Sequence, residues 1–187
     1  PLTILGDKMQ TMAEKQQDVL TFLPHIFGKD VYLVELNKSY RSTSEITTFA
    51  NGLIEKETES CVERHGELPQ TISVGSKEEM YESMAAKIRQ LGEFDTIAVL
   101  TLDADSANKA AKELRTMFQE EEIHLLTKDS MHFSTGISVM PFYLAKGLEF
   151  DAVLVPDLQN YKTPLEQQAL YIDATRALHV LNLFKIA

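Results

Sequence analysis

The chain is short of cysteine, of positive charge and of long apolar runs, and each shortage removes a class of protein. Cys61 is its only cysteine, so no intrachain disulfide framework can form, and a reducing, cytoplasmic setting is the expectation. No apolar run approaches the roughly 20 residues needed to span a bilayer. No basic stretch followed by an apolar one opens the chain as a secretory signal would. No membrane partner is therefore expected. Lys and Arg total 18 against 28 Asp and Glu, a formal charge of −10. Nucleic acid is held mainly by phosphate neutralisation, so this segment alone is expected to bind it poorly unless a local basic groove exists. Eight Gly and six Pro, with 44% hydrophobic and 25% charged residues, exclude collagen-like, low-complexity and disordered chains.

Several chemical signatures are missing as well. There is no G-x-x-x-x-G-K-S/T, hence no phosphate-cradling loop, and neither G-x-G-x-x-G nor G-x-S-x-G is present. Cys61 and His65 are four apart and could share a helix face, but two ligands do not make a zinc site, and no metal is expected. A self-contained enzyme is not supported.

What is present is an alternation of short β-branched runs with helical stretches. Candidate strands are Leu2–Leu5, Val31–Leu36, Thr71–Val74, Thr96–Thr101, Ile123–Leu126, Ile137–Phe142, Ala152–Val155 and Val180–Lys185. Between them, apolar residues recur at helical spacing around Val19–Phe27, Ile46–Ile54, Met80–Leu91, Ala110–Phe118 and Leu165–Leu178. Ser42 and Glu45, and again Ser76 and Glu79, have the spacing of a capping box. This alternation predicts an α/β fold with a mainly parallel sheet. In such folds ligands sit beyond the carboxyl ends of the strands, so residues just after strands draw attention. The opening Pro1–Gly6 reads as the middle of a strand, and the chain is expected to be a piece of a longer protein.

Four segments carry chemistry. Gly6-Asp7-Lys8-Met9-Gln10 offers a tight turn and an amide able to position water or a phosphate oxygen. Leu36–Ser42 sets Tyr40, able to stack on a base, beside Arg41, able to fork onto phosphate oxygens or to pair with a carboxylate. Tyr143–Asp151 holds Lys146, Gly147 and Glu149 in one loop, suited to a polyanion bearing a ribose hydroxyl or simply to water. Ala169–His179 reads as a helix whose small Ala174 and Ala177 permit close packing around Arg176.

In order, these four resemble motifs III, IV, V and VI of superfamily 1 helicases of the UvrD/Rep type. The wording "LNKSYRS", "YLAKGLEFDAV" and "LYIDATRALH" is closest to the HelD-like, helicase IV-like branch. The resemblance implies a RecA-like three-layer fold without its own P-loop. Residues 1–28 would be the tail of the first RecA-like domain and residues 29–187 the second. It implies that Gln10 senses the γ-phosphate, Tyr40 stacks on adenine, and Arg41 and Arg176 act as arginine fingers. Gly147 would approach the phosphates through its backbone, and Glu149 would bond the ribose. ATP and Mg²⁺ would belong to the full-length protein, with none bound by this segment. The partners implied are the N-terminal RecA-like domain and DNA, single-stranded in the translocating relatives. In this chain Tyr143 stands where the family usually has His, and no Tyr-x-Trp platform follows Gln10. Two other readings share these residues: an ATPase that remodels or recycles RNA polymerase without unwinding, and a non-catalytic α/β interaction module with degenerate motifs.

Overall fold

A computed structural model of the protein describes residues 3–4, 6, 19–28, 32, 34, 38–39, 41–54, 60–61, 64–118, 123–129 and 135–187. Most of the expected strands Leu2–Leu5 and Val31–Leu36 lies outside these residues. In chain order the described elements are α1 (Val19–Phe27), β1 (Lys38–Ser39), α2 (Ser44–Leu53), β2 (Ser60–Cys61), β3 (Gln70–Val74), α3 (Lys77–Gln90) and β4 (Thr96–Thr101). They continue with α4 (Ala104–Arg115), β5 (Ile123–Leu125), β6 (Gly136–Pro141), β7 (Phe150–Val155), α5 (Pro164–Ala174) and β8 (Ala177–Ile186).

Six strands form one sheet in the order β3-β8-β7-β4-β6-β5, and every neighbouring pair is parallel. Parallel sheets need cover on both faces, which explains the unbroken apolar runs of the central strands. Along β4, Ile97 and Val99 enter one core cluster while Ala98 and Leu100 enter the other. Helices α3 and α4 cover the first face through Met80, Met84, Ile88, Ala107, Ala110 and Leu114. Helices α2 and α5 cover the second through Ile46, Ala50, Ala169, Leu170 and Ile172. The result is the three-layer α/β arrangement expected of a RecA-like domain.

Helix starts follow side-chain chemistry, with one departure from expectation. Asp103 caps α4 by accepting from the Ser106 N–H at 2.7 Å. Ser76 caps α3 by accepting from the Glu79 N–H, and Glu79 reaches past it to the Gly75 N–H. At α2 the cap is Thr43, not Ser42. The Ser42 hydroxyl instead donates to the Ala177 carbonyl at 2.6 Å, and Glu45 accepts from the Gly66 N–H. Tertiary partners have taken both members of that expected box. The one reciprocal capping box in the described residues joins Thr163 and Glu166 at α5.

The second departure matters more. The helical pattern expected over Leu165–Leu178 stops at Ala174, and β8 begins at Ala177. The two faces of this junction are dense: Ala174 and Ala177 are both fully buried. Between β7 and β8 the register shifts, so that Phe150 faces Ala177 while Ala152 faces Val180. The extra residue on β8 falls within Leu178–His179 and makes a bulge at the strand's beginning. Replacing fully buried Leu154 by Ala should cost about 2–5 kcal/mol; a denaturant midpoint unchanged from the parent would contradict this placement of the core.

Candidate nucleotide-facing site

The site lies at the amino ends of β7 and β8. Glu149 immediately precedes β7, and Arg176 immediately precedes β8. These two candidate residues thus precede strands, where the expectation placed them after carboxyl ends. The segment after β6 crosses back over the second face through a 3-10 turn at Phe142–Leu144, and so delivers Glu149 to the opposite edge from Tyr143.

Arg41, on the turn before α2, makes an ion pair through its Nε with a Glu149 carboxylate oxygen. Both side chains are about two-fifths exposed, at 41% and 42%. An ion pair this wet contributes little to stability and exchanges readily for another partner. The turn is tied to β8 by the bond from Ser42 to the Ala177 carbonyl. Arg176 lies directly behind. It is 1% exposed, and among the described residues its guanidinium donates to neutral oxygens alone: the Ile172 and Leu148 carbonyls at 3.3 Å and the Thr175 hydroxyl at 3.1 Å. Phe150 in turn donates its N–H to the Arg176 carbonyl at 3.0 Å. Burial first, and then the positive charge of Arg41, lower the Arg176 pKa, while Glu149 opposes them.

Asp173 of α5 also acts on that charge, raising the Arg176 pKa against the effect of burial. Asp173 is wholly buried, and burial pushes its pKa well above the usual carboxylate range; the Tyr161 hydrogen bond and Arg176 pull it back only in part. Its Oδ2 accepts from the Tyr161 hydroxyl at 3.2 Å, while its Oδ1 has no partner. A buried acid whose ionisation burial disfavours therefore sits behind a guanidinium whose hydrogen bonds, among the described residues, go to neutral oxygens.

Gly147 has φ +87°, where a side chain would strain the backbone, and the space where its Cβ would stand is open. The loop is thus able to offer main chain without obstruction. Arg41, Glu149, Arg176 and Gly147 come together as one edge; Gln10 and Tyr40 lie outside the described residues. Among the described residues no three His, Cys, Asp or Glu side chains gather as a metal site requires. No described helix is long and apolar enough to cross a membrane. The sequence reading missed Arg64 and His179, which frame this edge. The single available signal was the placement of His179 three residues after Arg176.

A six-stranded parallel sheet covered on both faces by helices, in a chain with no P-loop signature, defines an α/β domain of the RecA-like class. Residues 34–135 match the family model described as the UvrD-like helicase C-terminal domain, and the chain belongs to that family. Arg41 falls inside the matched span, with Glu149 and Arg176 beyond it. Among solved structures, the chain is similar to the C-terminal domain of a possible DNA helicase from Lactobacillus plantarum WCFS1. That likeness has 30% identity and a TM-score of 0.65, and covers 79% of this chain and 88% of the other. A second similarity, to the UvsW helicase of bacteriophage T4, has 8% identity and a TM-score of 0.45, covering 89% of this chain and 68% of that one. None of the curated proteins matches the chain in sequence.

Asp173 yields a test of the buried geometry. An unfolded Asp ionises near 3.9, whereas the folded group keeps its proton to higher pH. Between those two values the folded state binds more protons, so this group lowers stability as pH rises. Asp173→Asn keeps an acceptor for Tyr161 and removes that titration. Its melting temperature should match the parent's near pH 4 and exceed it increasingly towards pH 7. Melting temperatures that run parallel across that range would contradict a raised Asp173 pKa in the fold.

Proposed function

We propose that this domain completes the ATP site of a superfamily 1 helicase or translocase, with Arg41 and Arg176 as arginine fingers. The observation that carries the reading is the convergence of Arg41, Glu149 and Arg176 from three distant segments onto one edge of the sheet. Among the described residues Arg176 is a desolvated cation bonded only to neutral oxygens, and a triphosphate supplies the missing charge. Electrostatic interactions are strongest where water is excluded, so this arginine is poised for charge that builds during phosphoryl transfer. Arg41 is held by an exposed, exchangeable partner. Nucleotide arrival turns Arg41 onto phosphate oxygens and frees Glu149 for the ribose hydroxyls. Tyr40 stacks on the base and Gln10 senses the γ-phosphate. Gly147 admits the phosphates to its main chain.

Under this reading residues 1–28 belong to the preceding RecA-like domain, which supplies the P-loop and holds Mg²⁺, and residues 29–187 form the second. Support for that division comes from α1, whose Phe22, Ile26 and Phe27 are exposed to solvent in this chain. Because the fingers and the P-loop sit on different bodies, hydrolysis requires their closure, and reopening releases product. That cycle converts turnover into movement along single-stranded DNA in the cytoplasm. An RNA polymerase-directed relative would share this ATP site and differ in target; strand-separation and polymerase pull-down assays separate the two.

The 187-residue chain by itself should show no steady-state ATP turnover. In the ATPase-competent parent, Arg41→Ala and Arg176→Lys should each lower kcat by about 10³–10⁵-fold. Unchanged turnover in both would overturn the reading and favour a non-catalytic module.

A further inference from the structure

We propose that Arg64 is a positioning residue that latches the Arg41 turn onto the beginning of β8; its consequence for catalysis rests on the role given to Arg41 above. The Arg64 guanidinium is used twice, through different nitrogens. Nη1 donates to the main-chain carbonyl of Arg41 at 2.9 Å. Nη2 rests against the His179 ring, 3.0 Å from each of its nitrogens. Arg64 thus grips the backbone of the finger and leaves the finger's side chain to Glu149.

Both ends of the latch are anchored. The Arg64 carbonyl accepts the Ser44 N–H at 2.8 Å. The next two residues close on Glu45, His65 through Nδ1 and Gly66 through its N–H, each at 2.9 Å. Those bonds hold the Glu45 carboxyl down to about 2, the His65 bond contributing most. Gly66 packs so tightly on Thr43 that an added Cβ would lie 2.6 Å from its methyl carbon. At the other end, the His179 ring stacks on Phe94 with centroids 5.6 Å apart and planes within 14°. Its Nε2 lies 3.9 Å from Asp151. Asp151 is itself fixed by the Thr96 N–H and hydroxyl at 2.9 and 2.7 Å. The bulge that inserts the extra residue at Leu178–His179 belongs to this frame.

The turn carrying Arg41 is outside the sheet, yet it must hold a guanidinium at a fixed distance from Arg176. Ser42 supplies one tether, to Ala177. Arg64 supplies the second, two residues further along β8. These two tethers fall on successive residues of the turn and add to the Ser44 bond and the Lys38–Ser39 pairing in holding its orientation. Lysine cannot replace Arg64, because a single ammonium cannot span two acceptors as the planar fork does.

The test uses two readouts. In the 187-residue chain, the side-chain Nε–H resonance of Arg41, assigned through its loss in R41K, should move in R64Q to the position of a solvent-exposed arginine. The Arg176 resonance should stay in place. H179F should produce the same displacement, and it serves as the deciding variant where R64Q does not fold. In the ATPase-competent parent, R64Q and R64K should lower kcat about ten- to a hundredfold, the cost of a small misplacement, with little change in KM for ATP. Added to R41K, neither should lower kcat further. An undisturbed Arg41 resonance, or losses that add to those of R41K, would overturn the proposal. Full turnover by R41K alone would overturn the nucleotide role of Arg41 and the catalytic half of the proposal with it, while the resonance would still report on the latch.

Discussion

The way β8 begins governs the rest of the candidate site. Helix α5 ends at Ala174, the chain turns through Thr175 and Arg176, and within one residue it is paired to β7. The bond from the Phe150 N–H to the Arg176 carbonyl fixes that turn to the strand whose own start carries Glu149. Because the strands are parallel, both beginnings fall on one edge. Small side chains make this possible: with anything larger than Ala174 and Ala177, helix and strand could not close around a guanidinium. The bulge two residues on then sets His179, and through it the turn that brings Arg41.

Two arginines at this edge live in opposite electrostatic conditions. Arg41 is wet, paired and loosely committed, and its exchange of partners costs little. Arg176 has exchanged water for three neutral oxygens, with a buried acid of raised pKa behind it. Burying a charge is costly unless it is paired, and groups perturbed in this way cluster at functional sites. The pair therefore combines a mobile contact with a fixed, desolvated one.

Much of the fold was legible because burial on both faces of a parallel sheet leaves a strong pattern. Thr96–Thr101 was recognisable residue for residue as β4, since a strand covered on both faces keeps apolar residues on both sides of the pleat over a short run bounded by polar ones. The helical spacing over Met80–Leu91 and Ala110–Phe118 located α3 and α4, although α4 runs earlier, over Ala104–Arg115, from its Asp103 cap. The junction after Ala174 was misread as continuing helix because Thr-Arg-Ala-Leu-His carries no breaker. It leaves the helix because pairing with β7 outweighs a weak local preference. The Ser42–Glu45 box failed for the same reason: Ala177 and Gly66 are better partners than each other's backbone.

By itself the sequence determined the layer architecture and the identity of the charged groups, because periodicity and residue type are local properties. Arg41, Glu149, Gly147 and Arg176 could be named from three short stretches. Only the tertiary structure decided at which end of the sheet they meet, that Glu149 holds Arg41, that Arg176 is desolvated, and that Arg64 and His179 brace the turn. Those outcomes depend on strand order and on a one-residue register shift between β7 and β8, strands that all of α5 separates along the chain. Long-range pairing leaves no mark on the local pattern of either partner.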